Sequence, residues 1–172
     1  MVVEIFVLSI LRTGPVHGYE LKRRVQRPSL TPLSNNSLYP LLRKFETDGL
    51  VTKSVEEQDG KPARKVYAIT DAGKERLQTL LRSLPPELAA SDEEFLVRVS
   101  FFPEIPVANR RAILAARSAV LEDASAQVAG LLEASDDSPK RRWRTRAMQR
   151  VLDTTDNERQ WIAALAEMAE TE

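Results

Sequence analysis

The first part of the chain is patterned as three helices followed by two strands and a fourth helix, an order that few folds share. Apolar residues recur at helical spacing in the first three segments, and β-branched and aromatic residues are frequent in the next two. Thr70 then caps the fourth helix. The first five segments cover about residues 2–12, 18–26, 37–47, 51–55 and 64–69. The turn between the two strands contains an Asp59-Gly60 step, which is typical of a β-hairpin.

This order is that of a winged helix-turn-helix, in which the third helix enters the DNA major groove and the hairpin is the wing. The third helix has Leu38, Leu41, Leu42 and Phe45 on one face. The first helix is apolar nearly all round and must be enclosed on more than one side. In the second helix we expect Tyr19, Leu21 and Val25 to point inward.

Prolines divide the chain into two parts. Ser83-Leu84-Pro85-Pro86 stops the fourth helix, because proline lacks a backbone donor and disfavours helix in the residue before it. We therefore predict a winged helix-turn-helix domain over residues 1–84 and a helical domain over residues 85–172. The first part carries 14 Lys and Arg against 9 Asp and Glu, and the second carries 11 against 16. This asymmetry favours a polyanionic partner for the first part.

The second part is patterned as long helices with apolar stripes. Leu114, Leu121 and Val128 repeat every seven residues. A further helix over about residues 142–169 has a stripe formed by Ala147, Val151, Thr154, Trp161, Leu165 and Met168. Two such helices cannot cover their apolar stripes alone, so we expect a dimerisation arm and a homodimer, with the partner subunit burying the remaining surface.

Polar and basic side chains are left on the outer face of the third helix and on the wing. Amides and hydroxyls near a helix start can read base edges, while Arg and Lys suit phosphates. We predict that these residues contact a double-stranded, palindromic operator. The candidate DNA-binding residues are Lys22, Asn35, Asn36, Ser37, Tyr39, Arg43, Lys44, Lys61, Arg64 and Lys65.

Four fragments in series resemble the PadR-type transcriptional regulators, over roughly residues 5–82. They are His17-Gly18-Tyr19-Glu20-Leu21, Ser37-Leu38-Tyr39-Pro40-Leu41-Leu42, Phe45-Glu46-Thr47-Asp48-Gly49-Leu50-Val51 and Tyr67-Ala68-Ile69-Thr70-Asp71-Ala72-Gly73. The resemblance implies a homodimeric repressor that releases DNA when it binds a small aromatic or phenolic effector. Trp143 and Trp161 are the candidate effector-binding residues. Asn36-Ser37 departs from the small Gly-Thr or Gly-Ser pair that the family often has there, so the operator sequence stays open.

Composition excludes most other classes of protein. The chain has no cysteine and one histidine, and no phosphate loop or nucleophile motif, so we predict no catalytic residue, metal or cofactor. The apolar run at residues 2–11 contains Glu4 and is about half a membrane span, which favours a cytoplasmic protein with no membrane contact. The alternative function is a protein-binding winged helix without DNA.

The basic run over residues 140–146 leaves two interpretations open. A solvated, salt-bridged face is favoured over a second DNA site, because Asp136 and Asp137 are adjacent and cations oppose the dipole at a helix start.

Overall fold

The computed structural model describes residues 1–26, 35–58, 61–133 and 142–171. The predicted caps before the third helix and the Asp59-Gly60 turn lie wholly or partly outside these ranges. The chain divides into two compact units, Met1–Leu81 and Arg82–Glu172. The division thus falls at the end of the fourth helix, whereas the sequence analysis places it after Leu84.

The first unit contains four helices and a three-stranded antiparallel sheet. Its elements in chain order are α1 Val2–Arg12, β1 Val16–His17, α2 Gly18–Gln26, α3 Asn35–Thr47, β2 Val51–Gln58, β3 Lys61–Ile69 and α4 Asp71–Leu81. The strand order is β1-β3-β2. The predicted helices and hairpin are confirmed, and so is the fold class, mainly helical with a small β-hairpin. The short β1 strand was not predicted; Val16 pairs with Tyr67, and His17 pairs with Val66.

The core of this unit forms around α1. Ile5, Val7 and Leu8 are completely buried, because α1 packs against α2, α4 and β3. The prediction that this helix is enclosed on more than one side is confirmed. The prediction for Tyr19 is wrong, since its side chain is 77% exposed. Leu21 lies two positions further along α2, about 200° around the helix, and faces the core in its place.

Hydrogen bonds of Thr70 connect the turn after α3 to the start of α4. Gly49 ends α3 with a φ of +71°, a left-handed conformation that favours glycine. The Thr70 hydroxyl donates to the Gly49 carbonyl at 2.7 Å and accepts from the Gly73 backbone N–H at 3.1 Å. One threonine therefore closes the turn after α3 and caps α4, as the sequence predicts for α4.

The second unit is entirely helical in its described residues. Its elements are a 3-10 turn at Pro86–Leu88, α5 Asp92–Val99, a second 3-10 turn at Phe102–Glu104, α6 Val107–Glu133 and α7 Arg142–Thr171. The two long helices are confirmed, whereas α5 was not predicted. None of the helices in the described ranges combines the length and the apolar character needed to cross a membrane.

The helix α6 packs against α7 through the predicted stripe of α6, but the stripe of α7 that it covers is not the predicted one. Leu114 and Leu121 of α6 are buried as expected, but the buried residues of α7 are Thr155, Ile162 and Ala169. The Thr155 hydroxyl is compatible with burial because it donates to a backbone carbonyl, that of Val151, at 2.9 Å.

The stripe predicted for α7 points largely away from α6. Trp161 is 41% exposed and Met168 54% exposed, and Val151 is also exposed. The helix therefore has two partly apolar stripes offset by one residue, and the partner helix in the same unit covers one of them.

Candidate nucleic-acid interface

An open groove of about 1000 Å³ lies between the helices α2 and α3 on one side and the wing on the other. The start of α2 places Tyr19 in the groove, α3 supplies Tyr39, and β3 supplies Tyr67. Basic side chains from α3 and from both wing strands reach the same space. They are Arg43, Lys53, Arg64 and Lys65.

Three of these cations form no ion pair among the residues that the structure describes, although Glu56 stands opposite Arg64 in the hairpin. Arg43, Arg64 and Lys65 are exposed and take part in none of the ion pairs of that part of the chain. Lys22, on α2, is likewise without such a pair but is half-buried. An exposed cation without a partner can bind a phosphate without first breaking an ion pair.

The remaining cations near the groove are engaged with neighbouring carboxylates. Lys44 bonds to Asp48, the residue that follows α3, and does not line the groove, although the sequence predicts Lys44 as a phosphate contact. Glu20 accepts from Arg23 at 3.0 Å and from Arg24 at 2.8 Å. The hydrogen bond from Arg24, and then that from Arg23, lowers the pKa of Glu20.

An ion pair inside the groove joins α3 to the wing. The Lys53 ammonium donates to Glu46 at 2.9 Å. This hydrogen bond raises the pKa of Lys53. Tyr67 lies beside the pair and is 4% exposed, and its burial raises the pKa of its phenol. The groove is therefore lined by three cations without ion pairs and by one lysine, Lys53, whose charge is balanced by Glu46.

The predicted DNA-binding residues fall into three groups, of which Lys22 and Lys44 form the one that does not line the groove. Tyr39, Arg43, Arg64 and Lys65 come together around the groove. Asn35, Asn36 and Ser37 form the first turn of α3, and Lys61 begins β3, but the side chains of these four lie outside the described residues. Tyr19 was missed, although the phase of Leu21 and Val25 in α2 would have placed it outward.

The two tryptophans lie far apart along α7. Trp143 is 82% exposed. Trp161 and Phe95 pack edge to face, with ring centroids 6.0 Å apart. Eighteen residues of helix separate the two tryptophans by roughly 27 Å, so a small ligand can contact only one of them in a subunit.

Together, the helix order, the hairpin and the basic groove define a winged helix-turn-helix protein. Residues 7–79, within the first unit, match the family described as the transcriptional regulator PadR-like family. A transcriptional regulator of Mycobacterium tuberculosis is 34% identical over 82 residues, which are 48% of this chain and 75% of that protein. The chain belongs to the PadR-like family, a family of transcriptional regulators and not of enzymes, as the sequence predicts.

Two further comparisons involve one Bacillus subtilis protein. The negative transcriptional regulator PadR is 27% identical over 97 residues, 55% of this chain, and the chain spans about half of its length, 53%. The crystal structure of Bacillus subtilis PadR in complex with operator DNA is similar with a TM-score of 0.47 and 21% identity. It covers 98% of this chain and 99% of that one.

Proposed function

We propose that this chain is a sequence-specific DNA-binding regulator of transcription that acts in the cytoplasm as a homodimeric repressor. The observation that carries the proposal is the set of three unpaired cations, Arg43, Arg64 and Lys65, around a groove between α3 and the wing. One strand of a DNA backbone fits this arrangement, with phosphates bound by the cations and the hydroxyls of Tyr19 and Tyr39 as further donors.

The groove favours DNA over a protein partner. A protein-binding winged helix would present apolar residues on this face, since protein interfaces have a largely apolar core and few charged residues there. The exposed large apolar side chains near the groove are Tyr19 and Tyr39, and both carry a hydroxyl that can bind phosphate.

Neutralising the cations one at a time tests the groove. Arg43→Gln, Arg64→Gln and Lys65→Gln should each weaken binding to duplex DNA of any sequence. Each should also reduce the slope of log K against log salt by roughly 0.9 if the side chain binds one phosphate. Lys74→Gln is the matched control, because Lys74 is paired with Asp71 on α4 and lies outside the groove. Equal effects of all four substitutions would contradict the proposal.

Base recognition is assigned to the first turn of α3. Asn36→Ala or Ser37→Ala should lower the ratio of operator affinity to random-duplex affinity. The corresponding loss of discrimination free energy is roughly 1–3 kcal/mol if the side chain binds its base in a bidentate manner. Circular dichroism of each variant separates this effect from the removal of a helix cap. An unchanged ratio in both variants would refute the readout by this turn.

The dimer is assigned to the outer stripe of α7. Trp161 and Met168 are spaced by one heptad, and both remain exposed in the isolated unit. A two-fold partner would bury the same stripe on both subunits and link two recognition helices about 34 Å apart, one DNA turn.

Light scattering tests this assignment. Trp161→Ser with Met168→Ser should give monomers and weaken operator binding, whereas Leu131→Ser, a change of an exposed apolar residue of α6, should leave the dimer intact. A full-length monomer that binds one half-site as tightly as a palindrome would contradict the dimer.

The effector is assigned to Trp161 rather than to Trp143. The Trp161 side chain is 41% exposed beside Phe95, and a flat phenolic ligand could stack on its ring and alter the pairing of subunits. In a Trp143→Phe protein, phenolic acids should quench the remaining fluorescence and lower operator affinity. The absence of both effects with every phenolic acid tested would refute the assignment.

A further inference from the structure

The start of α7 carries a row of arginines for which the proposed groove has no use. Arg142, Arg146 and Arg150 are spaced by four residues, so they follow one face of the helix over about 12 Å. Arg144 is a fourth cation on the opposite side of the helix, two positions from both Arg142 and Arg146, and all four side chains are exposed. Trp143 lies beside the row and is 82% exposed. We call Arg142, Trp143, Arg146 and Arg150 the α7 basic stripe.

Asp136 and Asp137, the acidic neighbours on which the salt-bridged interpretation rests, lie outside the described residues. None of the four arginines takes part in an ion pair of the described part of the chain. In the sequence, residues 140–150 contain six cations and no acidic residue, within a half of the chain that is acidic overall. Cations in the first turn also oppose the helix dipole, so the stripe is a local cost to α7.

We propose that the α7 basic stripe is a second nucleic-acid contact, which binds the phosphate backbone of duplex DNA. Phosphates follow each other every 3.4 Å or so along the axis of one strand, so a row of about 12 Å can meet several of them. Arginine binds phosphate through two parallel N–H donors, and the Trp143 indole can donate to a phosphate or pack on a sugar.

The chemistry of the stripe favours DNA over two other occupants. A membrane-surface helix needs several apolar anchors on the inserted face, and Trp143 is the one large apolar side chain of the stripe. A second copy of the chain would have to supply acidic groups. Asp123, Asp153 and Glu167 take part in no ion pair of the described chain, but five other acidic residues of this unit are already bound to arginines of their own subunit. They are Asp92, Glu122, Asp156, Glu158 and Glu170.

Fluorescence of the full-length protein tests the contact directly. Trp161→Phe leaves Trp143 as the one tryptophan of the chain. Adding a random-sequence duplex should change the Trp143 emission, and the midpoint should rise with salt. Unchanged emission, while the anisotropy of labelled DNA shows binding, would overturn the proposal. An emission change that depends on protein concentration alone would also overturn it, because the occupant would then be a second copy of the chain. An emission change seen only with phosphatidylserine vesicles would identify a membrane surface instead.

Charge neutralisation supplies a second readout. Replacing Arg142, Arg146 and Arg150 together by Gln, which has a similar helix propensity, should lower the salt slope by roughly 0.9 for each phosphate that these arginines bind. Raising the salt from 50 to 200 mM should then weaken DNA binding by the variant less than binding by the unsubstituted protein. The two losses of affinity should differ by a factor of roughly 3.5 for each phosphate contact removed. Arg159→Gln is the control on the same helix, because Arg159 is paired with Glu122 and Asp156.

The inference rests on the proposed function for the nature of the ligand, yet the two can fail separately. If Arg64→Gln weakens duplex binding and the triple variant does not, the stripe is refuted and the groove stands. The opposite result supports the stripe and refutes the groove. If the full-length protein binds no duplex at low salt, both are refuted.

Discussion

The Lys53 ammonium lies 2.9 Å from a carboxylate oxygen of Glu46, and this ion pair connects the wing to α3 inside the basic groove. The hydrogen bond to Glu46 raises the pKa of Lys53, so the lysine stays charged but its charge is matched by a carboxylate. Glu46 thereby limits the positive charge that the groove offers to DNA.

Removing this carboxylate should increase the non-specific affinity for DNA. Glu46→Gln frees Lys53 for a phosphate and removes a negative charge from the groove, so random-duplex binding should tighten and the salt slope should steepen by up to about 0.9. Fluorescence anisotropy at several salt concentrations measures both. Glu75→Gln, an exposed position of α4 outside the groove, is the charge-matched control. Weaker binding by Glu46→Gln would show that the ion pair serves chiefly to position the wing.

Two glycine-to-alanine changes should have opposite effects on stability. A Cβ on Gly73 would lie 2.1 Å from the Leu50 carbonyl oxygen and 2.7 Å from Ile69 Cγ1. Gly73→Ala must therefore move the wing away from α4 and should cost about 1–3 kcal/mol. A Cβ on Gly130, inside α6, meets nothing within 4 Å.

Gly130→Ala should therefore raise the free energy of unfolding by roughly 0.5–1 kcal/mol, because alanine loses less backbone entropy in a helix. Urea unfolding of both variants measures the two changes. A neutral Gly73→Ala would mean that the close approach to Leu50 is absent in solution.

Arg117 is expected to be a main source of stability in the second unit. Its guanidinium is buried, donates to Glu158 at 2.7 Å and to the Ala89 carbonyl at 2.8 Å, and also bonds to Asp92. Arg117→Met should destabilise the unit by about 3 kcal/mol, the lower end for a broken buried pair, since Asp92 is largely exposed.

Arg159→Met is the matched control for Arg117→Met. Arg159 is exposed, and its guanidinium lies 3.4 Å from a carboxylate oxygen of Glu122. Its replacement should therefore lower the free energy of unfolding by at most about 1 kcal/mol. Thermal and urea unfolding compare the two variants. Similar decreases in stability would contradict the role given to burial at Arg117.

The ion pair of Glu170 with Arg111 should add a pH-dependent contribution to stability. The hydrogen bond from Arg111 lowers the pKa of Glu170 below its ordinary value of 4.5. The folded state therefore binds its proton less readily than the unfolded state. The contribution is fully present above that ordinary value and is lost as the pH falls through the lowered pKa.

Glu170→Gln should therefore melt below the unsubstituted protein near pH 7, and the difference should shrink as the pH falls through the lowered pKa of Glu170. Calorimetry from pH 7 downward measures the melting temperatures. Glu167→Gln, on the same helix but in no ion pair of the described chain, is the control. A difference that persists at low pH would contradict the predicted titration.

Elements with a strong local signal were predictable from the sequence. The spacing of Leu38, Leu42 and Phe45 identifies α3 and its buried face, and the structure buries all three. The strand β1 has two residues and no pattern of its own, because it forms only through pairing with β3. The helix α5 was missed although it has a local signal, since the Ser91 side chain caps it by accepting a hydrogen bond from the Glu94 backbone N–H.

Part of the candidate interface was predictable as well. Arg43, Arg64 and Lys65 follow from the outward face of α3 and from the composition of the wing, and they line the groove. Lys44 was predicted on the same grounds, yet it bonds to Asp48. Tyr19 has a large aromatic side chain of the kind found in protein cores, but it lies exposed in the open groove.

The sequence by itself determined the order of the elements, the apolar character of α1 and the family, because each is written in local spacing and residue type. The tertiary structure decided which of two apolar stripes on α7 is buried and which cations around the groove remain unpaired. The first depends on groups distant in sequence, such as Leu114 and Ile162, and the second on contacts between different elements, such as that of Glu46 in α3 with Lys53 in β2. Burial and ion pairing are set by such distances in space, which local periodicity does not encode.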